Sequence, residues 1–395
     1  MSWPNHISSE LIDVRDGTHD SPKYVSAGYP LITSKNLING VISLDDVNYV
    51  TKEDYDSINK RSKVDAGDVL YSMIGSIGNY AYVEEEPNFA IKNVALFKFK
   101  DDRLYTPYFL HLLNSPIIFS QIEKEMKGGT QKFITLKILR NLKIPLPPLA
   151  TQKKIAAILD AADAHRQKTK QLLAKYDELA QSIFLEMFGE IEGEDFSMLE
   201  LSDTSEKGTF SNGPFGSDLL TSELTNQGIP VIYIRDIRNG EFQWKSQVFI
   251  TNEKAQYLKN CQVKQGDVLI AKVGDPPGAT AIYPNDALAV ITQDVIRLRP
   301  NLEKVTPEFL QFWFNSKLGL RVLQPIIVQG TRQRFGLGDL KKIRLKVPSI
   351  SKQRYFSKII EGLNSQLLIG RNQYLESENL FNSLLQKAFK GELVK

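Results

Sequence analysis

Two short glycine-containing segments hold the side chains of this sequence that are best suited to contacting a ligand. Glycine lets backbone amides approach a phosphate, threonine donates a hydroxyl, glutamine pairs with adenine, and arginine bridges the two major-groove acceptors of guanine. The candidate DNA-contacting residues are Gly129, Thr130, Gln131 and Lys132 in the first segment, and Gly330, Thr331, Arg332, Gln333 and Arg334 in the second. An ordinary solvated loop is the alternative interpretation of each segment.

A second set of candidates follows two predicted strands at equivalent positions in the two halves of the chain. Lys35 and Asn36 occur in the first half, and Arg235 and Asp236 occupy the corresponding positions in the second. Polar and charged side chains directly after a strand are placed to meet a ligand at the edge of a sheet. We therefore treat these four residues as candidates for the same kind of DNA contact.

The sequence lacks the motifs of common catalytic and cofactor-binding sites. No glycine is followed by lysine, so the phosphate-binding loop GxxxxGK[ST] is absent, and so is the dinucleotide-binding fingerprint GxGxxG. The four histidines all lie in the first half, and no two of them have the spacing of metal ligands. We predict a chain that is not an enzyme, without catalytic residues, a metal site or a cofactor of its own.

One segment, Asp275-Pro276-Pro277-Gly278, resembles the motif of adenine aminomethyltransferases, in which an aromatic residue follows the two prolines. Those enzymes flip the target base out of the duplex and stack it on aromatic or apolar groups, a contact that Gly278 does not provide. The companion Phe-x-Gly-x-Gly motif for the methyl donor is also absent. We therefore interpret this segment as a turn.

The composition is that of an ordinary globular protein and excludes several classes. The chain has 395 residues, of which 42% are hydrophobic and 24% charged, enough for two or three domains. Its net charge of +3 does not by itself indicate a nucleic-acid partner, so any basic patch must be local. The lone Cys261 forms no internal disulfide, and no apolar stretch approaches the roughly 20 residues of a membrane span. We expect a cytoplasmic protein without membrane contact.

The elements that must position these residues are duplicated along the chain. Each matching segment taken alone is ordinary turn chemistry, but their common order implies two homologous units of about 190 residues. The matches include Gly28-Tyr29-Pro30 with Gly228-Ile229-Pro230, Gly67-Asp68-Val69-Leu70 with Gly266-Asp267-Val268-Leu269, and Gln152 with Gln353. We expect the two units to share one fold.

Each unit is predicted to be α+β and to end in one long helix. Short apolar segments between turn residues predict strands over residues 29–100, and the apolar spacing that follows predicts a helix over 106–127. Residues 152–188 contain no glycine or proline, which predicts a single helix, and 353–389 predict a second one. The predicted fold class is α+β, with two tandem α/β domains related by a pseudo-twofold axis and separated by two long antiparallel coiled-coil helices.

Apolar residues recur at heptad spacing on both long helices. Antiparallel packing would let one helix carry the chain away from the first unit and the other bring it back. The predicted seam residues are Ile155, Leu159, Leu173, Tyr176, Ile183, Phe356, Ile360, Leu363, Tyr374, Phe381 and Leu384.

Further apolar residues lie beside the seam and make the apolar stripe wider than a two-helix contact needs. At about 25 cal/mol per Å² of apolar surface, leaving several of them in water forgoes several kcal/mol, so we expect another helix or subunit to cover them. The partner-binding candidates are Ile158, Leu172, Leu179, Phe184, Ile359, Leu375, Leu385 and Phe389. The alternative is that the globular parts of the same chain fold back over the stripe.

The order of these features resembles the specificity subunit of type I restriction-modification systems over essentially the whole chain. The similar segments are Ile144-Pro145-Leu146-Pro147-Pro148-Leu149 through Gln152-Lys153-Lys154-Ile155, Asp16-Gly17-Thr18-His19 with Pro22, and Gly213-Pro214-Phe215-Gly216-Ser217. The second proline-rich segment is reduced to Val347-Pro348-Ser349-Ile350, which leaves the start of the second helix open.

The resemblance implies that each globular unit is a target recognition domain that reads one half of a bipartite sequence in double-stranded DNA. It implies recognition domains at residues 1–148 and 190–349, and long helices at 149–189 and 350–395 that fix the gap between the two half-sites. The implied partners are two modification (methyltransferase) subunits, which bind S-adenosylmethionine and dock on the helices, and restriction subunits, which use ATP and Mg²⁺. The modest net charge is acceptable if these partners share the phosphate contacts.

Two other functions stay open on the residues alone. A helical scaffold or adaptor protein without DNA would show no salt-dependent DNA binding. A divergent DNA adenine methyltransferase would bind the methyl donor on its own, and Gly278 argues against this function.

Overall fold

The computed structural model describes residues 3–75, 77–126, 133–190, 192–238 and 240–394. The chain forms two compact units: the first contains Met1–Lys170 and Asn372–Lys395, and the second contains Gln171–Arg371. Each unit therefore combines one globular part with one section of each long helix.

The first unit is built on an antiparallel four-stranded sheet. In spatial order its strands are Ile12–Asp16, Val94–Phe99, Val69–Ser72 and Tyr80–Tyr82. Around it lie a mixed three-stranded sheet of Asn48–Val50, Tyr29–Ile32 and Ala90–Ile91, a hairpin of Leu37–Ile38 and Val41–Ile42, and the pair Asn5–Ile7 with Lys143–Pro145. These short strands occur where the sequence has apolar segments between turn residues, as predicted.

Helices pack against the sheets of the first unit. They are Ser8–Leu11, Lys52–Ser62, Thr106–Leu113, Pro116–Glu125 and Leu136–Arg140, with a 3₁₀ turn at Ser34–Asn36. The predicted helix over 106–127 is thus two helices, because Pro116 starts a second one after the turn at Asn114. Phe97 and Phe109 pack edge to face with their ring centroids 5.4 Å apart, inside a core that also includes Tyr71.

The second unit repeats this design, with one more strand in its smaller mixed sheet and one additional two-stranded pair. Its four-stranded sheet has the order Phe210–Asn212, Val295–Leu298, Val268–Ala271 and Thr280–Ile282. Its smaller sheets are Phe249–Ile250, Ile229–Ile232, Ala289–Ile291 and Gln262–Val263; Ile237–Arg238 with Glu241–Phe242; Glu194–Ser197 with Arg344–Val347; and Val273–Gly274 with Gln333–Arg334. The prediction that the two units share one fold is confirmed by these equivalent strand orders.

The helices of the second unit also correspond to those of the first. They are Asn252–Tyr257, Pro307–Asn315, Lys317–Leu323 and Leu337–Lys342, with 3₁₀ turns at Gly216–Asp218, Thr221–Glu223, Ile234–Asp236, Lys259–Cys261 and Gln324–Ile326. Phe184, Phe309 and Phe356 pack together in the core, which brings both long helices into contact with the globular part.

Both long helices form as predicted, and each begins three residues before the segments 152–188 and 353–389 from which it was predicted. The first long helix is Leu149–Phe188 and the second is Ile350–Lys390. Forty residues at 1.5 Å each give a length of about 60 Å. No helix in the described part of the chain combines the length and the apolar character needed to cross a bilayer.

The two long helices pack antiparallel within each unit. In the second unit, Phe188 contacts Phe356, and Leu173 lies against Gly370, where an added Cβ would be 2.9 Å from Leu173 Cδ2. In the first unit, Arg166 donates a 2.9 Å hydrogen bond to Glu378. Of the predicted seam residues, Ile155, Leu159, Phe356, Ile360 and Phe381 are buried, and Leu173, Tyr176, Ile183, Leu363, Tyr374 and Leu384 are half-buried.

One buried glutamine in each unit fastens the start of a long helix to the globular part. Gln353 Oε1 accepts a 2.9 Å hydrogen bond from the backbone N–H of Thr306. Its Nε2 donates to the backbone oxygens of Lys304 at 2.9 Å and Pro348 at 2.8 Å. Gln152 makes the equivalent three bonds in the first unit, with Tyr105, Arg103 and Pro147. These bonds satisfy buried backbone groups and fix the direction in which each helix leaves its unit.

Three of the predicted partner-binding residues are wrong. Phe184, Leu385 and Phe389 are buried in the cores of their own units, so they are not available to another protein. The globular parts cover this portion of the stripe, which was the alternative interpretation. Ile359 is half-buried, and Ile158, Leu172, Leu179 and Leu375 remain exposed.

Candidate nucleic-acid interface

One end of the second unit's four-stranded sheet gathers several segments that are distant in sequence. Because neighbouring strands run antiparallel, this end receives the residues after Asn212 and Ala271 and the residues before Thr280 and Val295. The segments placed there begin at Gly213 and Lys272 and end at Ala279 and Asp294. The Asp275–Gly278 segment is thus a loop at this end of the sheet, in agreement with its interpretation as a turn.

The predicted segment Gly330–Arg334 is a hairpin loop at the same sheet end. Val328 and Arg334 close it with two backbone hydrogen bonds, of 2.7 and 3.2 Å. Arg334 also pairs with Val273, which joins the loop to the strand Val273–Gly274. Gly330, Thr331, Arg332 and Arg334 are exposed, and Gln333 is half-buried. Among the described residues, neither Arg332 nor Arg334 forms a salt bridge, so both guanidinium groups can bind an external anion.

A shallow cavity of about 370 Å³ brings two sets of predicted residues together. It is lined by Ile234, by Val273–Asp275 and by Gln329–Gln333. The turn that contains Arg235 therefore borders the hairpin loop. Arg235 is exposed, its guanidinium carbon lies 4.5 Å from the centroid of the Tyr233 ring, and its Nε donates a 2.8 Å hydrogen bond to Ser246 Oγ. These contacts hold its side chain at the rim.

Asp236 is wrong as a DNA-contacting residue, because its carboxylate is buried and fully used. It accepts hydrogen bonds from the backbone N–H groups of Tyr233, Lys245 and Ser246 at 2.8 Å each, and one from Ser246 Oγ at 2.6 Å. The side chain therefore fastens the 3₁₀ turn to the following loop, and a carboxylate there would in any case repel phosphate.

Asn36 is wrong for the same reason in the first unit. It is buried, its Oδ1 accepts from Thr33, and its Nδ2 donates to the backbone oxygens of Ser43 and Asp46 at 3.1 Å. Lys35 is exposed, but its ammonium lies 2.7 Å from the Asp46 carboxylate. A phosphate would have to compete with that carboxylate for the lysine.

The other predicted residues of the first unit, Gly129, Thr130, Gln131 and Lys132, lie outside the described residues. The segments on either side of them match the second unit. Phe133 forms a β-bridge with Ile74, and the N–H of Ile134 donates to the backbone oxygen of Met73 at 2.9 Å. Phe335 and Lys272 make the equivalent bond in the second unit. Phe133 therefore occupies the position that Arg334 occupies in the second unit.

Two residues at this sheet end were not among the predicted contact residues. Phe215 is exposed, and the Lys272 ammonium lies 5.8 Å from the centroid of its ring. Burial lowers the pKa of Lys272; Asp294 opposes that shift and the neighbouring Arg334 adds to it. Phe215 follows the strand Phe210–Asn212 and Lys272 follows Val268–Ala271, and these two strands flank Val295–Leu298 in the sheet. Recognising the pair from the sequence would require knowing that strand order.

The corresponding place in the first unit holds a charged cluster. His19 Nε2 lies 2.8 Å from Asp16 Oδ2 and its Nδ1 lies 2.8 Å from Asn93 Oδ1. The hydrogen bond to Asp16 contributes most to raising the pKa of His19 above its ordinary value, and the hydrogen bond to Asn93 contributes next. Arg61 donates a further hydrogen bond to the nearly buried Asp16 carboxylate. This arrangement stabilises the imidazolium form of His19.

Glycines set the course of the chain at both places. An added Cβ at Gly17 would lie 2.3 Å from the backbone oxygen of Ile91, and one at Gly213 would lie 2.2 Å from the carbonyl carbon of Thr292. Any side chain would push these segments away from the adjacent strand. Among the described residues, no group of three His, Cys, Asp or Glu side chains is placed to hold a metal ion.

Comparison with known proteins identifies relatives along both units. The family model described as type I restriction modification DNA specificity domain matches residues 9–175 and 195–377. The chain is 27% identical over 358 residues to the type I restriction enzyme EcoBI specificity subunit of Escherichia coli, covering 82% of this chain and 73% of that protein. It is 24% identical over 415 residues to the putative type I restriction enzyme MjaX specificity subunit of Methanocaldococcus jannaschii, covering 99% and 93%.

Two solved structures share the fold over nearly the whole chain. The S subunit of a type I restriction-modification system from M. genitalium gives a TM-score of 0.55 at 16% identity, covering 98% of this chain and 96% of that one. A chain from a study of complex assembly and conformational transition of the type I R-M system gives 0.58 at 18% identity, covering 99% and 98%. The predicted fold class, α+β with two tandem domains and two long helices, is confirmed. Because the family model matches most of both units, this chain belongs to the type I restriction-modification DNA specificity family.

Proposed function

We propose that this chain is the DNA specificity subunit of a type I restriction-modification complex and that each unit reads one half of a bipartite target. One observation carries the proposal: the hairpin loop at the sheet end of the second unit presents Arg332 and Arg334, which no carboxylate of the described residues engages. Arginine in that setting suits guanine and phosphate. The equivalent sheet end of the first unit would read the other half-site.

The proposed boundaries assign recognition to residues 1–148 and 190–349 and the spacer to residues 149–189 and 350–395. Support for this division comes from the glutamine bonds at Gln152 and Gln353, which fix how each long helix leaves its globular part. A continuous helix has a defined length because each residue adds about 1.5 Å. Two such helices, each held in a fixed direction, would therefore set the gap between the half-sites.

The exposed apolar residues of the long helices would be the docking surface for two modification subunits. Ile158, Leu172 and Leu179 are exposed and separated by whole heptads, so they lie along one side of the first long helix. Leu368 and Leu375 are exposed one heptad apart on the second. Because these side chains are already partly buried, covering each of them would gain roughly half of the 1.5–3 kcal/mol that full burial of an exposed side chain gives, and together they would contribute to docking. Restriction subunits would join through the modification subunits.

We also propose that this chain does no chemistry itself. S-adenosylmethionine would be bound by the modification subunits, and ATP and Mg²⁺ by the restriction subunits. Support comes from Gly278, which stands where an adenine methyltransferase needs an aromatic residue. A Cβ added at this position would lie only 3.0 Å from Leu323 Cδ1, so the space for a larger side chain is tight. The complex would act on DNA in the cytoplasm.

Methylation mapping tests the proposal directly. Cells carrying the gene together with its modification subunits should methylate one bipartite sequence that cells lacking the gene leave unmodified. Replacing residues 197–347 with those of a relative of different specificity should change one half-site and leave the other half-site and the gap as they were. A change in both halves, or methylation without this chain, would contradict the proposal.

A further inference from the structure

The most exposed phenylalanines of the described chain lie at the sheet ends that we propose face DNA. Phe215 is 62% exposed and Phe133 is 55% exposed, and they belong to different units. Each ring would gain free energy if an apolar group of a ligand covered it, and the two rings lie at the corresponding ends of the two sheets.

The backbone that carries Phe215 is held firmly against the sheet. The N–H of Gly213 donates a 3.2 Å hydrogen bond to the backbone oxygen of Val295, and the chain passes too close to Thr292 for any residue but glycine. Pro214 is buried directly after it. Phe215 is therefore presented outward from a fixed position and is not a loosely held loop side chain.

One cation lies close to the ring, and two arginines lie at the same sheet end, which suits a polyanionic ligand. The Lys272 ammonium lies 5.8 Å from the ring centroid, and Arg334 is close enough to Lys272 to lower its pKa further. The carboxylates at this sheet end include Asp218, Asp275 and Asp294, but the salt bridges of the described residues include neither Arg332 nor Arg334, which leaves both guanidinium groups available to an anion. In the first unit, Phe133 occupies the position of Arg334, the last residue of the second unit's hairpin loop.

We infer that Phe215 and Phe133 each read a thymine, by packing on its C5-methyl group in the major groove. A phenyl ring has no hydrogen-bond donor or acceptor, and the thymine methyl is the one apolar group that a base pair presents there. The neighbouring cations would hold the phosphates on either side of that base pair. This inference rests on the proposed function and adds to it the base that one residue in each unit recognises.

The test replaces the thymines of the mapped target one at a time with deoxyuridine, which lacks only the methyl group. The full chain, in complex with its modification subunits, should bind the substituted duplex about fourfold more weakly at one position in each half-site, the loss expected for one buried methyl group. Phe215→Ala should abolish that difference in one half-site only, and Phe133→Ala in the other only.

Tyr257→Ala is the matched control. Tyr257 is 68% exposed in the same unit and has the Lys254 ammonium 5.0 Å from its ring centroid, but it lies on the helix Asn252–Tyr257. Its replacement should leave the effect of every deoxyuridine unchanged. Because all three rings are exposed, the variants should keep the unfolding temperature of the parent chain.

Two results would overturn the inference while the proposed function survives. The first is specific binding by the parent chain with no thymine sensitive to loss of its methyl. The second is a Phe215→Ala variant that binds every duplex more weakly but keeps the deoxyuridine effect. Absence of any sequence preference in the parent complex would instead refute the proposed function.

Discussion

Replacing Gln353 with alanine should destabilise the second unit by about 3 kcal/mol. The change removes the acceptor of the Thr306 N–H and the donor to the backbone oxygens of Lys304 and Pro348. A buried donor left without a partner costs about 1–3 kcal/mol, and two carbonyl groups that lose their donor add to it. For a unit of this size each kcal/mol lowers the unfolding temperature by about 2–4 °C, so we expect a fall of roughly 6–12 °C.

Differential scanning calorimetry measures the shift, and hydrogen exchange locates it. The Thr306 amide should exchange faster in the variant, because its N–H has lost its acceptor, Gln353 Oε1. Gln366→Ala is the matched control, since Gln366 is exposed on the same long helix. That variant should keep the parent unfolding temperature and the parent exchange rate at Thr306.

Equal small shifts for Gln353→Ala and Gln366→Ala would refute the reasoning. Such a result would mean that the three hydrogen bonds contribute nothing beyond what water supplies, and that the start of the long helix is held by its apolar contacts alone. The proposed role of this glutamine in fixing the helix direction would then fail as well.

Three further predictions concern the loop, the spacer and the histidine. Arg332→Ala or Arg334→Ala should weaken binding by about 1–3 kcal/mol at one base pair if the arginine pairs with guanine, while exposed Arg321→Ala changes nothing in the same duplex titrations. Four residues inserted at the midpoint of both long helices add about 6 Å, so methylation mapping should find a gap longer by one or two base pairs; an unchanged gap would exclude the helices as the ruler. The raised pKa of His19 means that its contribution to stability is present below pH 6.5 and is lost as the pH rises through the raised value. An NMR titration should give a midpoint above 6.5 that falls in Asp16→Asn, and an unaltered midpoint would contradict the assigned contact.

The sequence predicts the architecture well because its signals are local or repeated. A run of residues without glycine or proline predicts the first long helix, and the match of Gln152 with Gln353 marks an equivalent hydrogen-bonding position in both units. The match is informative because the glutamine makes the same three hydrogen bonds to backbone groups in each unit.

The sequence does not predict whether a given side chain points into the protein or into solvent. Asn36 and Asp236 follow strands, as ligand-binding residues often do, but each is drawn inward by unsatisfied backbone groups of a 3₁₀ turn. Phe184 lies on the apolar stripe of a helix, and only the packing of the globular part decides that it is covered by its own chain. Phe215 and Lys272 are 57 positions apart and lie close together because the strands that precede them finish at the same end of the sheet. The local periodicity of the sequence does not reveal that strand order.

The close approach of Gly213 and Gly17 to neighbouring backbone has a practical consequence for protein engineering. Both positions have no room for a side chain, so a library that randomises them would yield mostly misfolded members. A library that keeps both glycines and varies only the exposed residues Phe215, Arg332 and Arg334 would retain the scaffold while sampling new surfaces. Variants with a changed preference for DNA sequence would then be selected from folded proteins.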